Sequence, residues 1–220
     1  MEHKEQEVLH HVTSESGARR TPRRFHRNNT QYMVTLAFLV ALIVVLQYVG
    51  GLIPPINGVV GLSFVLIPIV IGGLVLGVKA GAILGLVFGI FVFVWCGVLG
   101  REALTTILYN YNPIMTAIIC VVKGVGAGVV PPLLHRLLYH RFPRVSTFVV
   151  TAAAPITNTA LFLLGMTFML EPLRGANVDV LKFFFYTIPV CNFLPELVIN
   201  LVAAPAIYRI VHAVAKQQRH

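Results

Sequence analysis

Charged side chains are scarce in this sequence. Only 11% of the 220 residues are charged, and 57% are hydrophobic, whereas a typical soluble domain has about a quarter of its residues charged. The few charges collect at the chain ends and in short polar segments, and long apolar stretches lie between them. This composition excludes an ordinary soluble globular domain and favours a protein that lies within a membrane.

Cysteine is also rare, and its spacing excludes two kinds of site. The three cysteines, Cys96, Cys120 and Cys191, lie far apart within apolar stretches. Such spacing indicates neither a disulfide framework nor a metal cluster, and small apolar core residues are the simplest interpretation. A Walker A loop, an HExxH zinc motif and a GxSxG nucleophile elbow are absent too. We therefore predict that the chain is not an enzyme and has no cofactor or metal of its own.

Long apolar runs dominate what remains. Residues 31–213 have room for about six spans, since a membrane-crossing helix needs roughly 20 apolar residues. Continuous runs favour helices over barrel strands, so we predict an all-α integral membrane protein with a compact bundle of about six transmembrane helices. The predicted spans are residues 32–49, 62–76, 81–97, 113–138, 145–170 and 180–211. A tight turn is expected at residues 77–80. A break is expected near Pro131 and Pro132, because proline removes a backbone donor.

The distribution of positive charge predicts the orientation. A net charge of +9 would suggest nucleic acid in a soluble protein, but here the basic residues flank the spans. With the N-terminus inside, 13 Lys and Arg residues lie on the inner side and three on the outer side, and Lys123 lies within a span. This asymmetry predicts cytoplasmic termini and no nucleic-acid partner. We expect a disordered basic tail at residues 1–29 that can touch anionic lipid, a membrane domain at 30–213 and a cytoplasmic tail at 214–220.

Small residues recur at helical spacing in two places. One set lies at every fourth position of the third span and its preceding turn: Gly77, Gly81, Gly85 and Gly89. This stripe lets a neighbouring helix approach closely. In the first span, Ala37 and Ala41 form a shallow groove for another helix, either within the bundle or on a partner.

Polar side chains at membrane depth point to a site. Lys123 lies near the middle of the fourth span and Asn158 near the middle of the fifth, while Asn192, Glu196 and Asn200 share one face of the sixth. Burying a charge in a bilayer costs at least a few kcal/mol, so these residues should face the interior or a cavity. A Lys123–Glu196 ion pair that locks the bundle and a solute site both stay open, and one pair could serve both.

Aromatic and amide residues near the outer ends suit a flat or elongated polar metabolite, although an interfacial aromatic belt explains Trp95 and the tyrosines equally well. We include three of them in the candidate site. The predicted substrate-binding residues are Trp95, Tyr111, Asn112, Lys123, Asn158, Asn192 and Glu196.

In the segment 67–89 a tight Leu-Gly-x-Lys-x-Gly turn joins two predicted helices, and glycines follow at every fourth residue. With this segment as the most specific match, residues 31–213 resemble the substrate-binding S component of an energy-coupling factor (ECF) vitamin transporter. The Asn112-Pro113 opening of the fourth span and the run at residues 155–159 match as well. The long basic tail is not a family hallmark, and Val78 stands where proline is frequent.

The resemblance implies a subunit of a bacterial cell membrane that binds a water-soluble vitamin from outside. It would dock on a transmembrane coupling subunit and two ATPase subunits, which use the ATP, and topple to carry the vitamin inward. Ala37 and Ala41 match the motif that contacts the coupling subunit. Lys123 suits an anionic vitamin, so the expected order is pantothenate, riboflavin, then folate. The alternatives are a membrane scaffold or assembly factor, a free-standing permease, and an intramembrane enzyme that uses Glu196.

Overall fold

Helices make up the regular secondary structure throughout the described residues. The computed structural model describes residues 29–51, 64–138, 143–169 and 188–217, together with residues 179, 182 and 186. Asn29 begins the first helix, whereas residues 1–28 of the tail predicted at 1–29 and the last three residues lie outside this part. Its helices are α1 (Asn29–Gly50), α2 (Leu66–Leu76), α3 (Val78–Val92), α4 (Ala103–Tyr111), α5 (Pro113–Leu138), α6 (Pro143–Thr167) and α7 (Leu194–Gln217). A π-helical turn, Phe93–Val98, extends α3, and another, Pro189–Phe193, precedes α7.

Five of these helices are long and apolar enough to cross a membrane. They are α1, α3 with its π-helical turn, α5, α6 and α7. The all-α prediction is confirmed for the described residues, and five such helices are those of a multi-pass membrane protein. The span predicted at residues 62–76 stays a prediction, because its helix α2 has 11 residues and a span needs roughly 20.

The predicted break at Pro131 and Pro132 is wrong, since α5 runs without interruption to Leu138. Both prolines are buried, and Pro132 packs against Gly73 of α2, where a Cβ would lie 3.1 Å from the proline Cγ. The Gly128 carbonyl, which a proline at position 132 cannot pair with, lies against Gly81 of α3. Tertiary packing thus supports a helix that local propensity disfavours.

A short helix, α4, occupies the polar segment for which the sequence predicts no span. It buries Leu104, Thr105 and Leu108, because residues three and four apart are neighbours on a helix. Leu104 and Leu108 pack with Ile119 of α5 and Met166 of α6 in a hydrophobic cluster. The segment therefore covers one end of the α5–α6 pair instead of forming an open loop.

The glycine stripe of α3 contacts α5 backbone to backbone. Gly81 faces Gly128, and Gly85 faces Gly124, each close enough that a Cβ would collide with the opposite carbonyl oxygen. At Gly89 a Cβ would lie 2.5 Å from the Cys120 carbonyl oxygen. The prediction of close helix approach is thus confirmed, and the partner is α5.

Gly77 has a different task from the other three glycines. A Cβ there would meet nothing within 4 Å, but the residue has a φ of +97°, a conformation that other residues rarely adopt. This single residue separates α2 from α3, so the predicted tight turn is confirmed and is shorter than expected.

The close contact of Gly81, Gly85 and Gly89 with the α5 backbone, which we call the α3–α5 seam, generates a stability prediction. Gly85→Ala should destabilise the protein by about 1–3 kcal/mol, because the added methyl overpacks a contact between two rigid backbones. Thermal unfolding in detergent should show a Tm lower by several degrees. Gly97→Ala is the matched control, since a Cβ at this buried position would lie 3.6 Å or more from its neighbours. Equal Tm values for the two variants would contradict the seam.

Candidate functional site

The polar residues predicted at membrane depth meet where α6 packs between α5 and α7. Lys123 comes from α5, Asn158 from α6, and Glu196 and Asn200 from α7. The last three are almost fully buried, with exposed fractions of 5%, 2% and 0%. We call these four residues the polar junction.

The α5–α6 contact positions Lys123. Three α5 residues at positions i, i+4 and i+7 face α6: Ile119 contacts Gly165, Lys123 lies over Phe162, and Gly126 contacts Leu161 and Thr157. The Lys123 Nζ atom lies 4.5 Å from the centroid of the Phe162 ring. A cation at this distance above an aromatic face is stabilised by about 0.5–2 kcal/mol.

Two amides surround Glu196. The Asn158 side chain lies beside the Glu196 carboxyl group. Asn200 Nδ2 donates to the Glu196 backbone carbonyl at 2.8 Å, as expected for residues four apart on one helix. Lys123 and Glu102 are ionisable neighbours of Glu196.

A direct lock between Lys123 and Glu196 is not present among the described residues. Glu196 Oε2 is buried and has no hydrogen-bond partner, while the Lys123 ammonium rests on the Phe162 ring. The two side chains are therefore neighbours that do not form an ion pair. Of the two interpretations left open by the sequence, this arrangement favours a site over a lock.

Several buried polar atoms in this region lack hydrogen-bond partners. On α6 they are Asn158 Oδ1 and Thr159 Oγ1, and on α7 they are Glu196 Oε2 and Asn200 Oδ1. Leaving a buried polar group unsatisfied costs about 1–3 kcal/mol, and folded proteins have few such groups. Four of the six such atoms among the described residues lie in this one pair of packed helices.

Sequence reasoning missed Glu102, which lies beside the junction. Its Oε2 accepts a hydrogen bond from Thr105 Oγ1 at 2.6 Å, and the Cys96 side chain lies nearby. The short α4 helix is what brings this carboxylate inward. Acidic residues are rare in this chain, which has eight in all, and this rarity was the sequence signal that could have identified Glu102.

Trp95 belongs to a separate aromatic cluster between α1 and the end of α3. Its ring lies 5.1 Å from that of Tyr48 and 5.7 Å from that of Phe91. The Arg101 guanidinium lies above it at 5.5 Å, and the indole Nε1 faces Gly51. These contacts anchor α1 to α3, and none of them joins Trp95 to the polar junction.

The other predicted site residues lie near the ends of helices. Tyr111 is 58% exposed at the end of α4. Asn112 caps α5, because its Oδ1 accepts a hydrogen bond from the Met115 backbone N–H at 3.1 Å. Asn192 is half-buried in the π-helical turn before α7. The structure therefore brings Lys123, Asn158 and Glu196 together and gives Asn112 a structural role.

Ala37 and Ala41 are both exposed on α1. Their neighbours Val34, Phe38 and Val45 are also exposed, with exposed fractions of 63%, 65% and 56%. This face of α1 does not pack against the described part of the bundle. The interpretation of the alanine pair as an internal packing motif is therefore disfavoured.

The cap at Asn112 generates a prediction. Asn112→Ala should lower stability by about 1 kcal/mol, because an N-cap acceptor is lost. Asn112→Asp keeps an acceptor oxygen, and a negative charge is favourable at a helix N-terminus, so its Tm should match that of the wild type. Thermal unfolding of both variants in detergent checks this. Equal destabilisation by alanine and aspartate would mean that the amide group itself is needed, as a solute ligand would be.

Comparison with known proteins gave no match, either to a protein-family model or to a curated protein.

Proposed function

We propose that the chain is the substrate-binding membrane subunit of an ATP-driven ECF importer. It captures a water-soluble vitamin from outside and delivers it inward, together with a shared coupling subunit and two ATPase subunits. Both termini are cytoplasmic in this proposal, and the protein lies in the cell membrane. The five apolar helices support the membrane part, and the sequence resemblance supports the transporter part.

The observation that carries the proposal is the polar junction. Glu196, Asn158 and Asn200 are buried at membrane depth and still have polar atoms without partners. A membrane scaffold gains nothing from such groups, because each costs more in lipid than an apolar residue of the same size. A polar solute that hydrogen-bonds to these atoms would supply the partners that they lack.

Pantothenate is the preferred vitamin, followed by riboflavin and folate. The Lys123 ammonium has no ion-pair partner among the described residues and rests on an aromatic ring. A carboxylate would form a charge-assisted hydrogen bond with it, which is about twice as strong as a neutral one. Pantothenate offers that carboxylate on an elongated polar chain.

The exposed face of α1 is the proposed contact with the coupling subunit. Ala37 and Ala41 expose a strip without large side chains between exposed apolar neighbours. Close helix packing in membranes uses such small residues. The face is therefore suited to a partner helix in a way that the rest of α1 is not.

Vitamin capture is tested on the full chain purified in detergent. Mass spectrometry should identify a retained vitamin, and thermal shifts with pantothenate, riboflavin and folate should show stabilisation by one of them. Asn158→Leu should weaken binding by about tenfold or more, because it removes a buried amide from the junction. If no vitamin is retained and none raises the Tm, the transporter proposal fails and the scaffold becomes the better interpretation.

Docking is tested with a bulky side chain on α1. Ala41→Trp should reduce copurification with a co-expressed coupling subunit and its ATPases by about tenfold, because the indole prevents close helix approach. Vitamin binding by the isolated chain should be unchanged.

Ala160→Trp on α6 is the matched control, since Ala160 is also exposed on a membrane-length helix. It should leave both copurification and binding intact. Equal loss of copurification in the two variants, or loss of vitamin binding in Ala41→Trp alone, would contradict the assignment of the α1 face.

A further inference from the structure

The unpartnered atoms of the polar junction share one chemical property. Glu196 Oε2, Asn158 Oδ1 and Asn200 Oδ1 are all oxygens of carboxylate or amide groups. A carboxylate and an amide oxygen accept hydrogen bonds, and only a protonated carboxyl could donate one. The nearby Thr159 hydroxyl, also unpartnered, can do either. The face formed by α6 and α7 therefore has hydrogen-bond acceptors that lack donors.

A hydrogen bond within the protein fixes the orientation of the Asn200 amide. Asn200 donates Nδ2 to the Glu196 backbone carbonyl, and a flipped amide would place two acceptor oxygens against each other. Asn158 lies beside the Glu196 carboxyl group. In both residues Oδ1 is the buried atom without a hydrogen-bond partner, so this face offers amide oxygens that can accept.

The donor capacity lies on the other side of the junction. The Lys123 ammonium carries three N–H donors, and its described contact is the face of the Phe162 ring, which accepts no conventional hydrogen bond. Glu102, the second carboxylate nearby, already accepts from Thr105. The junction is thus polarised, with acceptors on α6 and α7 and a cationic donor on α5.

We infer that the bound solute presents uncharged or cationic N–H or O–H donors to Glu196, Asn158 and Asn200, and carries a negative charge, if any, only at the Lys123 end. This inference rests on the proposed solute site and specifies the substrate class. An anionic group directed at α6 and α7 would meet acceptors alone. Pantothenate satisfies the requirement in one orientation, with its two hydroxyls toward α7 and its carboxylate toward Lys123.

Calorimetric titration of the purified full chain tests the polarity with matched compounds. The probes are pantothenate, panthenol (in which a hydroxymethyl group replaces the carboxylate), a dideoxy pantothenate without the two hydroxyls, and riboflavin. The wild-type protein should bind the dideoxy compound about 10- to 100-fold more weakly than pantothenate, because buried acceptors then stay unpaired. This comparison needs no variant and so does not depend on the folding of one.

Two variants then separate the two ends. Glu196→Gln keeps the side-chain shape but replaces an acceptor with a donor. It should therefore lower the affinities for pantothenate and panthenol equally, by about 10- to 100-fold. Lys123→Met should lower the affinity for pantothenate about tenfold more than the affinity for panthenol, because only pantothenate carries a carboxylate. Asp179→Asn is the matched control, an exposed carboxylate whose Oδ1 accepts a bond from the Lys182 backbone, and it should change neither affinity.

The possible failures are distinguishable. If the wild-type chain binds none of the probes, the proposed vitamin site fails, and this inference fails with it. If pantothenate or riboflavin binds but Glu196→Gln leaves its affinity unchanged, the site stands and the donor requirement is wrong, with Glu196 acting as a protonated carboxyl. Equal losses of pantothenate and panthenol in Lys123→Met would overturn the assignment of the anionic end.

Discussion

The contact between the backbones of α3 and α5 is the constraint on which the rest of the structure depends. Because Gly81, Gly85 and Gly89 lack side chains, α3 approaches the carbonyl oxygens of α5 directly. Contacts of Cα–H groups with carbonyl oxygens, worth about 0.5–1 kcal/mol each, recur at such helix interfaces. The seam leaves α5 little freedom to rotate or slide, since a shift of one residue would replace a glycine by a larger side chain.

The fixed rotation of α5 in turn aims Lys123. Cys120, Gly124 and Gly128 use one face of α5 for α3. Lys123 immediately precedes Gly124 and is turned by about 100° around the axis, toward Phe162 of α6. Further polar side chains that oriented Lys123 would add to the cost of burying polar groups in a membrane. The glycine contact between α3 and α5 orients Lys123 without such side chains. The position of the polar junction is therefore a consequence of close packing on an adjacent face of the same helix.

Much of this architecture follows from sequence periodicity, and the remainder depends on contacts that periodicity does not encode. The glycine spacing predicts a close helix approach but cannot name the partner, because Gly124 and Gly128 of α5 are informative only once they are opposite α3. The break predicted at Pro131 and Pro132 is wrong because local propensity ignores the packing on Gly73 and Gly81. Glu102 was missed because its inward position depends on α4, which is marginal as an isolated helix of nine residues. The grouping of Lys123, Asn158 and Glu196 was predictable, since three costly residues at similar depth have few other places to go.

The residues of the polar junction leave unmade some interactions that they could form with each other. A cation above an aromatic ring gains about 0.5–2 kcal/mol, whereas a buried carboxyl oxygen without a hydrogen bond costs about 1–3 kcal/mol. A direct pair between Lys123 and Glu196 would reduce that cost, yet the ammonium rests on Phe162 and Glu196 Oε2 stays without a hydrogen bond. A solute that accepts from the ammonium at one end and donates to Glu196 at the other would supply both missing interactions at once. Binding of the proposed solute would therefore also stabilise the bundle, because a ligand that binds only the folded state adds to the stability of that state.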